Sequence, residues 1–422
     1  MIAINTFLAV YLGAFVLCAV ADMGIDMVNG RHTKKHGSHV PSDFQGIIDG
    51  DKLKQINAYT LDHTTLSLVK QGAGKILFLL VILSGLLPWW AESLRFFPFL
   101  IGGLLFFAVP GFIAALIELP FDYYGLFVIE ERYGFNTRTR TIWLSDLLKS
   151  FLLALILGGL LLSLLLVLVK YGGAFWWVWA WAAFFSFQVL ITVLYPTLIA
   201  PIFNKFTPVE NTSLANKIAS LAEREGLSIR GIFQMDAEKR SRHTNAYFAG
   251  LGKTKRIVLF DTLIRSHEED EVLAVLAHET GHLKKHHIKK QAFLTGAASF
   301  LLLYVASKMI HWDLMYTSFG FAEKPLYVGL LLVAFLWEPV AFLLSPLAMT
   351  LSRRFEREAD AYAASALESA TPLIKALKKM ARDNLSNLRP HPLYVRFNYS
   401  HPPLVERIET LKKPFSRRKP LK

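Results

Sequence analysis

Long apolar runs separated by shorter polar segments dominate the chain. A helix needs about 20 apolar residues to cross a bilayer, and seven runs approach or exceed that length. The second run is the shortest, and it ends in Pro88-Trp89-Trp90, a sequence typical of a membrane interface. The pattern predicts an all-α polytopic membrane protein with about seven transmembrane helices. The runs are residues 2–20, 76–90, 96–116, 151–169, 174–198, 292–309 and 327–351.

The polar segments predict how the spans are oriented. Lys and Arg are concentrated after the first, third, fifth and seventh runs, and basic loops stay on the cytoplasmic side. The N-terminus is then predicted outside, with residues 204–290 and the C-terminal tail inside. Residues 21–74 contain several glycines and are expected to form a polar loop. A cleaved signal peptide in residues 1–21 is the alternative, although no Lys or Arg precedes the first run.

Composition and charge narrow the function. Of the 422 residues, 53% are hydrophobic and only 19% are charged, a balance that excludes an ordinary soluble enzyme. The formal net charge is +13, which anionic lipid headgroups explain better than nucleic acid does. The runs are almost free of ionisable groups apart from Glu338, so transport is weakly supported. A basic tail is expected to be solvated or to face lipid; it contains Lys412, Lys413, Arg417, Arg418, Lys419 and Lys422.

Candidate chemistry is concentrated in the stretch His278-Glu279-Thr280-Gly281-His282. The residues before it have apolar positions at helical spacing, which predicts a helix. Residues four apart lie on one face of a helix, so His278 and His282 can bind one metal ion. Glu279 is then placed to act as the general base for the attacking water. HExxH in this context predicts a zinc hydrolase.

A catalytic zinc ion usually has three protein ligands, so a third must come from elsewhere in the chain. His286 and His287 follow the motif, but their position at the basic end of the helix favours a solvated or interfacial role. Glu356 and Asp360 are better candidates, since they are four apart on a predicted helix after the last run. One carboxylate would bind the metal while the other orients a ligand histidine. A helix start enriched in acidic residues, with a surface ion pair to Arg353 or Arg357, is the alternative.

These motifs and their order closely resemble the type I CAAX prenyl protease family of integral membrane zinc metalloproteases. The resemblance covers nearly the whole chain. It implies seven helices that enclose an intramembrane chamber, with a single zinc ion closing its cytoplasmic end. It also implies that Glu356 is the third zinc ligand and that Asp360 is the supporting carboxylate. The stretches that carry it are residues 119–121, 127–136, 195–205, 245–248, 256–263, 278–282, 356–360 and 399–407.

Three further residues enter through the resemblance. Asn245 is expected near the bound peptide, with a turn-capping asparagine as the alternative. His401 and Arg407 are expected to donate to the oxyanion of the tetrahedral intermediate. Residues 244–260 contain two β-rich runs around a turn sequence at 250–254, which predicts a hairpin. An edge of this hairpin could pair with the substrate backbone.

The chain divides into four segments on this interpretation. Residues 1–203 hold the first five spans, and residues 204–290 hold the metalloprotease core with the HExxH helix. Residues 291–351 hold the last two spans, and residues 352–422 supply the third zinc ligand and the basic tail. The zincin-like catalytic domain, with its small β-hairpin, is therefore assembled from the second and fourth segments.

The predicted function is that of an integral membrane zinc-dependent endopeptidase that hydrolyses peptide bonds near the C-terminus of CAAX-type, prenylated peptides. A quality-control metalloprotease for membrane proteins is the alternative, and a transporter or channel with an incidental HExxH is a weaker one. The expected partners are a peptide or protein substrate and membrane lipids, with no nucleic acid and with a monomer favoured. The short chain, without a long insertion between Asp261 and His278, favours a prokaryotic homologue. A multi-pass protein of the bacterial inner membrane is expected, or of the endoplasmic reticulum if eukaryotic, with a cytoplasmic active site.

Overall fold

The protein's structure, a computed structural model, describes residue 2 and residues 5–249 and 256–413. Within these residues, seven helices are long and apolar enough to cross a membrane, which confirms the predicted number. π-Helical turns at Gly125–Glu130, Ala154–Gly158 and Tyr195–Ile199 continue or join the helices of the third, fourth and fifth spans. The first half of the chain comprises α1 (Thr6–His36), α2 (Gly50–Leu83), α3 (Leu86–Ser93), α4 (Phe99–Tyr124), α5 (Arg140–Leu153), α6 (Gly159–Tyr171), α7 (Trp176–Leu194) and α8 (Ala200–Phe203).

The second half contains a small sheet, the last two spans and a helical C-terminal segment. Its first elements are β1 (Phe206–Pro208), α9 (Thr212–Arg224), β2 (Gly231–Met235), β3 (Ala246–Ala249), β4 (Arg256–Phe260), α10 (Asp261–Ser266) and α11 (Glu269–Lys284). The remaining helices are α12 (His287–Met309), α13 (Asp313–Ser318), α14 (Leu326–Ala366), α15 (Thr371–Asp383), α16 (Pro392–Asn398) and α17 (Leu404–Lys412). The seventh span, α14, continues well beyond residue 351 without a break, so one helix crosses the division drawn between residues 351 and 352.

Residues 21–74 do not form the polar loop that their composition predicted. α1 continues to His36, and α2 begins at Gly50. Asp49 caps α2 by accepting a hydrogen bond from the backbone N–H of Lys52 at 2.7 Å. Gly30, within α1, packs against Thr64 and Leu61 of α2, and such tertiary packing outweighs helix propensity.

The second span also differs from its prediction, residues 76–90. It is formed by α2, which ends at Leu83. Gly85 then adopts φ +79°, a left-handed conformation that glycine takes without strain. The tryptophan pair at 89 and 90 lies on the separate short helix α3 rather than on the span.

Buried apolar side chains are concentrated at the end of the bundle that holds α3 and α13. The helices pack tightly at that end. Towards the other end the helices leave open pockets lined by polar residues, one of about 370 Å³ between α2, α4 and α14 and another of about 390 Å³ beside α1 and α2. The single enclosed chamber that the resemblance implies stays a prediction. The buried residues at the closed end include Leu8, Ile82, Leu87, Phe106, Leu166, Met315, Tyr316 and Leu332.

The spans carry more ionisable residues than the apolar runs of the sequence indicated. Lys75 forms an ion pair with Glu338, and Lys70 lies 3.5 Å from Glu118 and 3.3 Å from Asp122. The apolar runs identified in the sequence stop at charged positions, because a charge that faces lipid is costly. Lys70, Lys75, Glu118 and Glu338 instead line a pocket, and each has a partner of opposite charge. The expectation of spans almost free of charge is therefore wrong.

The described strands form a four-stranded sheet in the order β1-β2-β4-β3. β3 and β4 are antiparallel, as the predicted hairpin requires. β2 runs parallel to β4, and β1 is antiparallel to β2. The sheet is thus larger than predicted, and β3 forms one of its free edges. The predicted turn at 250–254 and the basic tail beyond residue 413 lie outside the described residues.

Candidate active site

The HExxH motif lies on α11, and the residues before it explain where that helix begins. The side chain of Glu271 accepts a hydrogen bond from the backbone N–H of Glu268 at 2.9 Å, half of a capping box. Val272, Val275 and Leu276 are buried in the core of the catalytic half and anchor α11 there. His278 and His282 then lie one turn apart on the same face, with ring centroids separated by 4.9 Å.

α14 passes so close to α11 that a side chain at position 281 would not fit. A Cβ atom on Gly281 would lie 2.9 Å from the Cα atom of Ala359 and 3.1 Å from its carbonyl oxygen. The glycine inside the motif therefore permits close approach of two helix backbones. That approach brings Glu356 and Asp360 of α14 to the histidines of α11.

Two imidazole nitrogens and the two carboxylate oxygens of Glu356 lie close together, so the three side chains form a compact triangle. His278 Nε2 is 3.3 Å from Glu356 Oε2, His282 Nε2 is 3.3 Å from Glu356 Oε1, and the two imidazole nitrogens are 3.2 Å apart. Two ligands of a tetrahedral zinc ion, each about 2.05 Å from the metal, are separated by about 3.3 Å. Glu356 Oε2 is buried and has no hydrogen-bond partner within the described part of the chain. The two histidines and one carboxylate therefore fit a zinc ion in both distance and chemistry.

Asp360 lies against the other nitrogen of the His278 ring. Its Oδ1 is 2.8 Å from His278 Nδ1, although the angle falls outside that of a regular hydrogen bond. Arg407 donates two hydrogen bonds to the same carboxylate, from Nε at 2.8 Å and from Nη2 at 2.6 Å. All three residues are buried. Arg407 therefore fixes Asp360, and Asp360 in turn orients a candidate metal ligand.

Of the solvated and interfacial roles expected for His287, the structure excludes the solvated one. The residue is 3% exposed, and its Nδ1 lies 3.0 Å from Nδ1 of His282. Its Nε2 lies 3.0 Å from Glu358 Oε2, and its ring stacks on Phe355. The chain turns at His286, which adopts φ +57°. His287, the first residue of α12, therefore lies inside the site. No spacing in the sequence reveals this turn, so the contact that orients His282 was missed.

Glu279 lines a cavity of about 260 Å³ together with Glu356 and His401. Phe248 of β3 lines the same cavity, which places an edge strand of the sheet next to the metal-binding triangle. Asn245 lies exposed directly before β3. Its Oδ1 accepts a hydrogen bond from the backbone N–H of Ala246 at 2.8 Å, a local bond of the kind that a capping asparagine forms.

His401 enters the site from the segment between α16 and α17. Its Nε2 is 3.3 Å from Glu356 Oε1, and its side chain is 59% exposed. Arg353 holds this segment by donating to the carbonyl oxygens of Val395 and Tyr399, at 2.8 Å each. The surface ion pair considered for Arg353 is therefore wrong, because its guanidinium group is buried and binds backbone oxygens.

The electrostatics of the site favour a cation. Burial opposes charge on His278, yet Asp360 and Glu356 beside it raise the pKa of His278 to about 9. A pocket that stabilises a proton on a buried imidazole also suits a metal ion. Burial raises the pKa of Glu279 above its ordinary value. A raised pKa suits a carboxylate that must accept and return a proton near neutral pH.

Two family models match the two halves of the chain. The model described as CAAX prenyl protease N-terminal, five membrane helices, matches residues 29–205. The model of Peptidase family M48 matches residues 208–415. The chain belongs to the CAAX prenyl protease family of M48 peptidases. It is a multi-pass membrane metalloendopeptidase of that family, which confirms the resemblance stated from the sequence.

Relatives and a solved structure match over most of the chain. The CAAX prenyl protease 1 homolog of Oryza sativa subsp. japonica is 34% identical over 389 residues, with 88% of this chain and 90% of the relative covered. CAAX prenyl protease 1 of Saccharomyces cerevisiae is 38% identical over 325 residues, with 73% and 71% covered. The crystal structure of S. mikatae Ste24p matches with a TM-score of 0.89 at 31% identity, with 96% of this chain and 99% of that chain covered. The fold class predicted from the sequence is confirmed.

Proposed function

We propose that this protein is a zinc-dependent endopeptidase that cleaves near the C-terminus of CAAX-type, prenylated peptides. The observation that carries the proposal is the triangle of His278, His282 and Glu356, which shares a cavity with Glu279 and the edge strand β3. The names of the relatives as CAAX prenyl proteases support the substrate class. Membership in a peptidase family favours this function over transport.

The roles of the central residues follow from their positions. His278, His282 and Glu356 would hold the zinc ion, which when bound polarises a carbonyl group and makes water more acidic. Glu279 accepts the proton of the attacking water and returns it to the leaving amine. Asp360 keeps the ring of His278 in the orientation that metal binding requires.

We assign His401 to the oxyanion. Its exposed ring lies beside Glu356, where an N–H can donate to the charge that develops on the substrate oxygen, an interaction typically worth about 3 kcal/mol. Arg407 already donates Nε and Nη2 to Asp360. We propose that Arg407 acts first by positioning Asp360; its direct donation to the oxyanion stays a prediction.

We propose that β3 binds the substrate by strand pairing. An edge strand offers unpaired backbone N–H and C=O groups, which hold an extended peptide with little regard to its side chains. Phe248 places this strand at the cavity that contains Glu279. Asn245, exposed at the start of the strand, is positioned to contact the same peptide.

Glu279→Gln tests the chemistry, because it removes the base and keeps the metal-binding side chains. The variant is expected to retain zinc while its turnover of a CAAX peptide falls by several orders of magnitude. Metal analysis and mass spectrometry of the cleaved peptide measure both. Asp270→Asn, the analogous carboxylate-to-amide change at an exposed position of α11, is the matched control and should keep its activity. Near-normal turnover in Glu279→Gln would exclude the proposed role.

A second experiment tests the substrate. A farnesylated CAAX peptide and the unmodified peptide should both be cleaved and should compete for one site, because strand pairing reads the backbone. Cleavage of neither peptide by zinc-loaded enzyme, together with cleavage of unfolded membrane proteins, would favour the quality-control function instead.

A further inference from the structure

The segment that leads into β3 is held by the loop that follows the third span. Ser241 pairs with Asn136 in an isolated bridge, and the backbone N–H of Arg242 donates to the carbonyl oxygen of Phe135 at 3.1 Å. The ring of His243 stacks on Phe135 with centroids 4.1 Å apart. The entry to the edge strand is therefore built on the membrane part of the protein.

Glu130, the last residue of the third span, lies at the centre of this contact. Its Oε1 accepts a hydrogen bond from the hydroxyl of Tyr59 at 2.7 Å and lies 3.0 Å from His63 Nε2. Its Oε2 lies 3.3 Å from His243 Nε2. The carboxylate is only 17% exposed. One side chain thus joins α2, the end of the third span and the entry to β3.

Asn384 holds the other side of His243 and the residue after it. The backbone N–H of Thr244 donates to Asn384 Oδ1 at 3.2 Å, and Asn384 Nδ2 donates to Thr244 Oγ1 at 3.3 Å, which fixes the orientation of the amide. The same Oδ1 lies 3.2 Å from His243 Nδ1. The two ring nitrogens of His243 therefore face oxygen atoms of Glu130 on one side and of Asn384 on the other, so the ring is held from both sides.

Two histidines and a glutamate also make up the metal-binding triangle, but the cluster at Glu130 has a different arrangement. His63 and His243 contact different oxygens of one carboxylate, and the second nitrogen of His243 is directed at an amide. Among the described residues, the group close enough to hold a metal is the triangle on α11 and α14. The cluster at Glu130 is therefore a structural connection.

We propose that Glu130, acting through His243, positions β3 for substrate binding and is a positioning residue for peptide cleavage. The inference rests on the proposed function, in which β3 pairs with the substrate. Thr262 contributes from the other side, since its Oγ1 donates to the carbonyl oxygen of His243 at 2.9 Å. The end of a membrane span thereby sets where the substrate strand lies relative to the metal site.

Glu130→Gln tests the connection in the protein without substrate, because it preserves shape and removes charge. Hydrogen–deuterium exchange is expected to be faster at the β3 amides and unchanged in α11. Glu92→Gln, the same change at an exposed position on α3, is the matched control and should alter neither. Unchanged exchange at β3 in Glu130→Gln would overturn the proposal, whatever β3 binds.

Cleavage kinetics distinguish a failure of this inference from a failure of the proposed function. Glu130→Gln is expected to raise KM about 3- to 10-fold with little change in kcat, because strand pairing contributes equally to substrate and transition state. Loss of zinc from this variant would overturn the proposal, since it would place Glu130 in the support of the metal site. Faster exchange with an unchanged KM would leave Glu130 connected to β3 and would overturn strand pairing as the mode of substrate binding.

A double-mutant cycle tests whether Glu130 and His243 act as one unit. Glu130→Gln, His243→Gln and the double variant should raise KM to a similar extent, because either single change already breaks the connection. Additive effects on KM would overturn the coupling. If Glu130→Gln does not accumulate as folded protein, His243→Gln alone supports the same exchange and KM measurements with the same expected outcomes.

Discussion

Single residues of the site combine deep burial with charge. Glu356 and Asp360 are 5% and 4% exposed. Carboxylates so far from water are stable only when cations or several hydrogen bonds surround them. Arg407 is the cation that stabilises Asp360, to which it donates hydrogen bonds. One oxygen of Glu356, in contrast, has no hydrogen-bond partner in the described chain and faces His278. This difference between the two carboxylates supports Glu356 as the ligand and Asp360 as the group that orients one.

Glu356→Ala is expected to lower the zinc content of the purified protein at least about tenfold, because one of three ligands is lost. Metal analysis after equal dialysis measures the change. Glu358→Ala is the matched control on the same helix, since Glu358 contacts His287 and Arg354 and lies outside the triangle. It should lose less zinc. Retention in Glu356→Ala with loss in Glu358→Ala would show that the wrong carboxylate was assigned.

At the scale of elements, the site depends on the packing of α11 against α14. Each helix carries part of the metal-binding set, and neither part is complete alone. Their separation is set at Gly281, where a side chain would meet the backbone of Ala359. Helices without such a small residue at the contact stay about 8–10 Å apart. The glycine of HExxH is therefore a packing residue of the site.

Gly281→Ala is expected to destabilise the protein by about 1–3 kcal/mol, because the new methyl group forces two backbones apart. The same displacement is expected to weaken zinc binding. Thermal unfolding in detergent and metal analysis measure the two effects. Gly13→Ala on α1 is the control, since a Cβ atom there meets nothing within 4 Å. An unfolding temperature in Gly281→Ala equal to that of the control would contradict the packing role.

The sheet is the part of the fold that the sequence predicted least completely. The β3–β4 hairpin is visible because its two runs are close in the chain and rich in β-formers. β1 has three residues and β2 has five, and both are stabilised by distant partners. β2 pairs in parallel with β4, and β3 lies between them in the chain, so no hairpin turn marks β2.

At the scale of the whole molecule, packing density and charge are distributed unevenly. One end of the bundle is a dense apolar core, whereas polar cavities with paired charges lie towards the end that carries the metal-binding triangle. The cytoplasmic position of the site, the kind of membrane and the prokaryotic source stay predictions; relatives named above are plant and fungal proteins.

The orientation can be tested by labelling cysteines in vesicles of known sidedness, in a Cys18→Ser background. Glu210→Cys, before α9, should react with an impermeant maleimide only from the cytoplasmic side. Glu323→Cys, between α13 and α14, should react only from the opposite side. Both positions are exposed. Reaction of both from one side would contradict the orientation predicted from the distribution of Lys and Arg.

The sequence by itself determined what depends on near neighbours in the chain. Apolar length marked the seven spans, because a bilayer demands about 20 residues of each. Helical spacing placed His278 beside His282 and Glu356 beside Asp360, because residues four apart share a face. The family resemblance assigned both pairs to one metal site, which their spacing in the sequence could not do.

Only the tertiary structure decided which side chains meet across distant elements. His287 against His282, Arg407 on Asp360 and Glu130 on His243 are contacts between different segments, and no periodicity connects their positions. The helical state of residues 21–36 and 50–74 was decided in the same way. A polar residue in a span is energetically costly where it faces lipid, and it is tolerated where it faces a cavity or an opposite charge. Which of these it faces depends on how the helices pack.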